Sequence, residues 1–374
     1  MLCGCFTAVE EIVWEDESAV PAAIFSETES AAPEVRETAA ELPEEPDPAE
    51  EILAAMSAEE KLGQVILARF PWDPAEQAGE YHFGGYTLYG SDFENETPES
   101  LSDKLAEINS ANGIPMFFAA DEEGGSVVRI SCYSQFAERP LSSVQKILSE
   151  EGDISAWVDE MADNLQRAGV NLDLAPVADV AESRSDYIYR RTCGLGYEET
   201  GAVIAEIVTG LNRRGIVSCL KHFPGYGSNV DTHKGIAVDS RTAESFESGD
   251  FIPFLRGIEA GAPMIMVNHN IIEAYDPDVP ASLSSEVHKV LRELGFEGMI
   301  ISDDLGMDAI SLYTDEPYSA AFLAGNDLLC VSDGKACYNA LYEAFQNGEI
   351  TEERLDESVL RIIRTKLEYG IIII

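Results

Sequence analysis

The chain has 374 residues, enough for two average domains or one large α/β barrel, and its 45% apolar content suits a globular protein with a full-sized core. Its 69 Asp and Glu against 24 Lys and Arg give a formal net charge of −45, a field that repels phosphate backbones and anionic headgroups and argues against nucleic acid as a partner. No run approaches the roughly 18 to 20 apolar residues that a membrane-spanning helix requires.

At the N-terminus, MLCGCF resembles the end of a bacterial lipoprotein signal (Leu-x-Gly-Cys) with Cys5 as the acceptor, although the charged and apolar regions of such a signal do not precede it. Residues 6–48 are rich in Glu, Ala and Pro, with Arg36 as the only basic residue. That composition cannot bury a core and reads as a disordered, self-repelling tether. The expectation is an extracytoplasmic protein anchored through Cys5 to a bacterial surface; the alternative is a cytoplasmic protein with a plain acidic tail. The chain then divides into an acidic tether over 1–49 and one barrel domain over 50–374.

From about residue 50, helical and strand-like segments alternate. EILAAMSAEEKLGQ, PESLSDKLAEINSAN, ISAWVDEMADNLQRAG, ETGAVIAEIVTGLNRRG, SSEVHKVLRELG and TEERLDESVLRIIRTKLEYG carry apolar residues at i, i+3, i+4 spacing, and several close on Gly. Between them lie apolar runs of strand length: VILARF, GGYTLYG, IPMFFAAD, VNLDLAPV, IVSCLKHF, APMIMVNH, GMIISDD and DLLCVSD. Eight such runs alternating with helices predict an α/β fold of the (β/α)8 TIM-like barrel type, with a doubly wound open sheet as the competitor. The polar residues favour the barrel. Most runs stay apolar until their last one or two positions, and in a parallel barrel those ends share one rim. Seven cysteines show neither CxxC nor zinc-ligand spacing and most of the later ones sit in apolar runs, so they read as buried thiols.

Three stretches carry chemistry. In SDDLGM, Asp303 and Asp304 follow an apolar run, so one carboxylate should face the barrel mouth while the other turns aside; the pair reads either as a helix cap or as a nucleophile or metal ligand. In DEEGG, three acids and a Gly pair form either a plain turn or a site where Asp121 accepts hydrogen bonds from a polyhydroxylated ligand while the glycines let backbone approach it. The stretch KHFPGYGSNVDTH holds two of the chain's five histidines. Lys221 and His222 end a strand, while Asp231 and His233 sit on a Gly/Ser/Asn loop where the carboxylate can fix the imidazole tautomer and raise its basicity toward neutrality. The spacing matches no common metal signature and Lys221 opposes a cation, so neither metal nor cofactor is expected.

Taken together, these motifs resemble glycoside hydrolase family 3, in its single-domain β-N-acetylglucosaminidase (β-N-acetylhexosaminidase) branch. DEEGGSVVR, YRRTCG, KHFPGYGSNVDTH, VPASLS, FEGMIISDDLGM and AGNDLLCV are similar to family motifs, in order, and the resemblance runs from about residue 61 to 370. It implies a retaining exo-glycosidase that releases terminal N-acetyl-β-D-glucosamine from peptidoglycan-derived or chitin-type oligosaccharides. Asp303 would be the nucleophile, His233 the proton donor and acceptor, and Asp231 its orienting partner. Asp121, Arg129, Arg191, Lys221 and His222 match positions that bind the non-reducing-end sugar. Asn268 and His269 face the same rim by strand position. Tyr226 in place of the family's His, Thr232 in place of Ser and Cys193 in place of Phe depart from the pattern, and Tyr226 puts the packing of the loop in question. Hydrolysis of another β-sugar, such as glucose, or a catalytically dead sugar-binding lipoprotein, are the alternatives.

Overall fold

The computed structural model describes residues 47–229 and 235–374. Cys5 and the tether expected over 1–49, apart from Asp47–Ala49, lie outside the described residues. In chain order the strands are β1 Ile66–Arg69, β2 Gly85–Thr87, β3 Phe117–Ala120, β4 Leu172–Asp173, β5 Val217–Phe223, β6 Val238–Asp239, β7 Met264–Val267, β8 Ile271–Ile272, β9 Met299–Ser302 and β10 Leu329–Val331. All but β6 and β8 form one parallel sheet in the order β10-β1-β2-β3-β4-β5-β7-β9. A parallel bridge between Ile301 and Leu328 joins its two edges, with Ser302 N–H donating to the Leu328 carbonyl at 3.2 Å. The fold is therefore a (β/α)8 barrel, and each of the eight apolar runs contributes one strand.

The barrel follows from side chains buried on both strand faces. Every residue of β5, β7 and β9 is buried, as expected for parallel strands sandwiched between a filled interior and a shell of helices. The helices present one apolar face each: Tyr197–Arg213 buries Val203, Ile204, Ile207, Val208 and Leu211 against the sheet. Pro98–Asn112 coincides with its predicted span, opened by a Thr97/Ser100 capping box.

Two differences from the sequence reading have local causes. The single helix expected over residues 51–64 is two, Pro48–Ala55 and Ala58–Gln64. Ser57 and Glu60 form a reciprocal capping box that starts a new helix in mid-pattern. The β6–β8 ribbon, two residues per strand, is too short to leave a period-2 signal; it brings the chain after residue 235 back beside the segment that follows β7. No helix among the described residues is long and apolar enough to cross a membrane.

Candidate active site

The C-terminal ends of the strands surround a cavity of about 500 Å³. From β3 the chain runs into Asp121, Glu122 and Glu123, and these three acids do different things. Glu122 points away from the cavity and accepts the backbone N–H groups of Arg129, Ile130 and Ser131 at 2.8, 2.9 and 3.1 Å, folding the 121–131 loop back on itself. Gly124 and Gly125, at φ +83° and +67°, serve the same loop. A Cβ on Gly124 would sit 2.4 Å from the Ser142 carbonyl oxygen, and one on Gly125 2.6 Å from Ser143 Cβ. These glycines are required for packing against residues 142–143.

Asp121 and Glu123 face the cavity and meet Lys221 from β5. Lys221 Nζ lies 2.8 Å from Asp121 and 2.6 Å from Glu123. Arg191, from the short helical turn Tyr187–Arg191, grips Glu123 with two hydrogen bonds of 2.8 and 2.7 Å. Burial alone would raise the Glu123 carboxyl, but Lys221 and Arg191 overcome it and hold the group far below the usual carboxylate range. Burial likewise opposes the charge on Lys221, and Asp121 and Glu123 reverse that, raising it above an ordinary ammonium. Arg129 reaches Asp121 at 3.3 Å, and its buried Nε has no hydrogen-bond partner among the described residues, leaving a donor beside the cavity.

His222 is fixed from two sides. Its Nδ1 is 2.6 Å from Asp179 and its Nε2 is 3.2 Å from Arg191. A guanidinium can only donate, so Nε2 accepts and Nδ1–H donates to Asp179. Asp179 also accepts the backbone N–H groups of His222 and Tyr226 at 3.1 and 2.6 Å. The Tyr226 ring is buried edge-on against His222, at 5.6 Å between centroids, and packs beside Tyr187 at 5.7 Å. The departure at this position thus places an aromatic wall behind His222.

Asp303 directly follows β9 and lines the cavity. Its backbone N–H donates to the Val267 carbonyl, and the Asp304 N–H donates to its Oδ1 at 2.9 Å. Burial would raise its carboxyl; His269, the Asp304 amide and Lys221 outweigh burial and draw it below its ordinary value. Asp303 is therefore held as a carboxylate. Asp304 turns to Ser332 and accepts its hydroxyl at 2.9 Å. The helix that follows is capped at Met307, so the pair does not act as a helix cap. Asn268 and His269 are braces: Asn268 donates to the His222 carbonyl at 3.2 Å, and His269 bridges Ser282 and the Asp304 carbonyl at 2.7 and 3.0 Å.

Asp231 and His233 lie outside the described residues. The chain on either side of them is anchored: Asn229 donates to Asp239 at 2.7 Å, and Arg241 pairs with Asp239 and with Asp250 at 2.8 and 2.7 Å. The structure thus gathers Asp121, Arg129, Arg191, Lys221, His222 and Asp303 around one cavity. It adds Glu123 and Asp179, which the sequence reading did not single out. A carboxylate inside an apolar segment was the available signal for Asp179, in PVADV; Glu123 was indistinguishable from Glu122 within DEEGG. Among the described residues no His, Cys, Asp and Glu group is arranged to hold a metal ion.

The closed parallel barrel brings these charged side chains together at its C-terminal mouth, where enzymes of the TIM-barrel class carry their active sites. Comparison with known proteins specifies which kind. The chain belongs to glycosyl hydrolase family 3, whose N-terminal domain model matches residues 57–365. Over 274 residues it is 32% identical to a β-hexosaminidase of Nitrosomonas eutropha, covering 70% of this chain and 77% of that one. It superposes on a family 3 β-N-acetylglucosaminidase from Paenibacillus sp. str. FPU-7 with a TM-score of 0.78 at 27% identity, covering 85% of this chain and 63% of that larger one. M tuberculosis LpqI superposes with a TM-score of 0.75 at 26% identity, covering 85% of this chain and 96% of that one.

Proposed function

We propose that the protein is a retaining exo-β-N-acetylglucosaminidase that acts on peptidoglycan-derived or chitin-type oligosaccharides. The observation that carries this reading is the Asp303 carboxylate, kept ionised at the wall of a polar cavity in which Asp121, Arg129, Arg191, Lys221 and His222 offer charged donors and acceptors. Such a set suits the hydroxyl groups of one terminal sugar. The names of the relatives described above support the choice of N-acetylglucosamine.

In the first step an Asp303 oxygen attacks the anomeric carbon and the bond to the leaving oxygen breaks. The His233 imidazolium supplies a proton to that oxygen, with Asp231 stabilising the cation. In the second step His233 takes a proton from water, the water oxygen attacks the anomeric carbon, and the glycosyl–Asp303 ester is released with retention of configuration. An imidazole replaces the more usual second carboxyl, and a carboxylate partner makes that replacement workable at neutral pH. Attachment to a bacterial surface through Cys5 belongs to the same reading, since extracytoplasmic glycans are the substrates proposed.

The test is a panel of aryl glycosides with Asp303→Asn as control. Aryl β-N-acetylglucosaminide should be cleaved in preference to aryl β-glucoside, and Asp303→Asn should abolish turnover while N-acetylglucosamine still binds. Preference for the glucoside would assign another sugar, and full activity of the variant would remove Asp303 from the chemistry.

A further inference from the structure

A second groove of about 560 Å³ opens where the segments following β1 and β2 meet, on the same face of the barrel as the active site. At its edge Trp72 is 99% exposed. A tryptophan left wholly in water forgoes the burial that makes this side chain worthwhile, unless something else covers it.

The exposure is imposed by the surrounding structure. Pro71 and Pro74 restrict the backbone on both sides of Trp72. Phe70 before it packs edge-on against Tyr86 at 5.6 Å, and the Tyr86 hydroxyl donates to the Pro74 carbonyl at 2.9 Å beyond it. One buried tyrosine therefore braces both ends of the loop, and the indole is presented outward on a rigid support.

The groove beside it is polar and acidic. Among the described residues Asp73, Glu76, Asp92, Glu96 and Glu107 line it with Lys104, which is paired with Glu96, and Arg69 is engaged from behind with Asp92. An anionic ligand is disfavoured there. Ser91 and Asn95 add neutral hydrogen-bonding groups. A flat aromatic face next to acceptors and amides matches a sugar ring, which has an apolar C–H face and a rim of hydroxyls. The wall between groove and active site is shared: Arg69 stacks on Tyr89 at 4.3 Å and hydrogen-bonds Asp92. Tyr89 lines the catalytic cavity, and Asp92 lines the groove.

We propose that the Trp72 groove is a secondary site that binds a neutral oligosaccharide outside the catalytic cavity, with a sugar ring stacked on the indole. The choice of ligand rests on the glycosidase reading above. Because the site lies across a wall from Asp303, it should matter for long substrates and be irrelevant to a single sugar carrying a small aryl group.

Trp72→Ala, at a fully exposed position, provides the test. Its kcat/KM on aryl β-N-acetylglucosaminide should equal that of the unaltered protein, while kcat/KM on a β-1,4-linked N-acetylglucosamine tetramer should fall about fivefold, as expected for losing one aromatic stacking partner. Equal values on both substrates for variant and unaltered protein, or an equal loss on both, would overturn the proposal. In the Asp303→Asn background, where the tetramer is not consumed, titration should shift tryptophan emission, and Trp72→Ala should remove that shift. No Trp72-dependent shift with the tetramer, or one produced only by a lysine-rich peptide, would also overturn it. If the unaltered protein cleaves neither substrate, the glycosidase reading fails, and the emission titration alone decides the site.

Discussion

Glu123 holds a full negative charge where water is nearly excluded, because Lys221 and Arg191 close on it from two sides. The arrangement is self-consistent only as a set: neutralising one member leaves the others charged and buried. Glu123→Gln keeps the shape and removes the charge. It should cost about 3 kcal/mol of stability and raise KM more than it lowers kcat, because Lys221 and Arg191 then lose their fixed positions at the sugar. Thermal unfolding together with steady-state kinetics measures both; an unchanged Tm with an unchanged KM would show that Asp121 alone suffices to hold the lysine. His222 follows the same logic through Asp179, which fixes its tautomer and ties down the following turn at Tyr226. These partnerships were hidden in the sequence because they join residues 43 to 100 positions apart. Asp121, Lys221, His222 and Asp303 were legible because each stands at or just beyond the end of an apolar run, whereas Arg129 and Arg191 came only from the family resemblance and Glu123 looked like its neighbour Glu122. The residues that position them carry no such mark.

Among elements, closure of the barrel depends on a buried carboxylate. Asp327, just before β10, is fully buried and accepts from Arg292 at 2.8 Å, Ser358 at 2.8 Å, Arg361 at 3.0 Å and the Ile300 backbone N–H at 3.0 Å. It connects β9, the helix Ser285–Glu293 and the C-terminal helix Glu352–Glu368 where the two edges of the sheet meet. Asp327→Asn should destabilise the protein by about 3 kcal/mol, because it removes the buried carboxylate that several half-buried guanidinium groups share. Denaturant unfolding checks this, and a loss under about 1 kcal/mol, the scale of an exposed pair, would contradict it. Strands were the most legible elements, because burial on both faces of a parallel barrel leaves uninterrupted apolar runs. Helix limits were legible where a cap and a glycine agreed, as at Thr97 and Gly113. At Ser57 the S-x-x-E cap signal was present but the continuous apolar period overrode it, so one helix was expected where the chain makes two.

For the whole molecule, one buried charge site should be visible in the pH dependence of stability. Lys366, on the C-terminal helix, is completely buried; it hydrogen-bonds Gln64 at 2.7 Å and lies 5.0 Å from the Phe117 ring centre. Burial pushes its ammonium down to about 7. In the unfolded chain a lysine titrates near 10.4, so between these values the unfolded state binds more protons and stability rises with pH. Below pH 7 the full cost of charging the buried site remains. Lys366→Met should remove that dependence, giving a flatter stability profile between pH 7 and 10 and a more stable protein at pH 7. Equal slopes for the two proteins over this window would contradict the assignment. The overall charge of −45 acts separately, through self-repulsion and steering, and the variant alters it by one unit only.

The account as a whole stands on Asp303 as the group that bonds to the anomeric carbon. The most direct measurement is covalent trapping with a 5-fluoro N-acetylglucosaminyl fluoride, which slows breakdown of the intermediate, followed by mass spectrometry of the digested protein. The account predicts one added glycosyl unit on the peptide containing Asp303, and none in Asp303→Asn. A label on another carboxylate, or turnover of the reagent with no trapped ester, would contradict it.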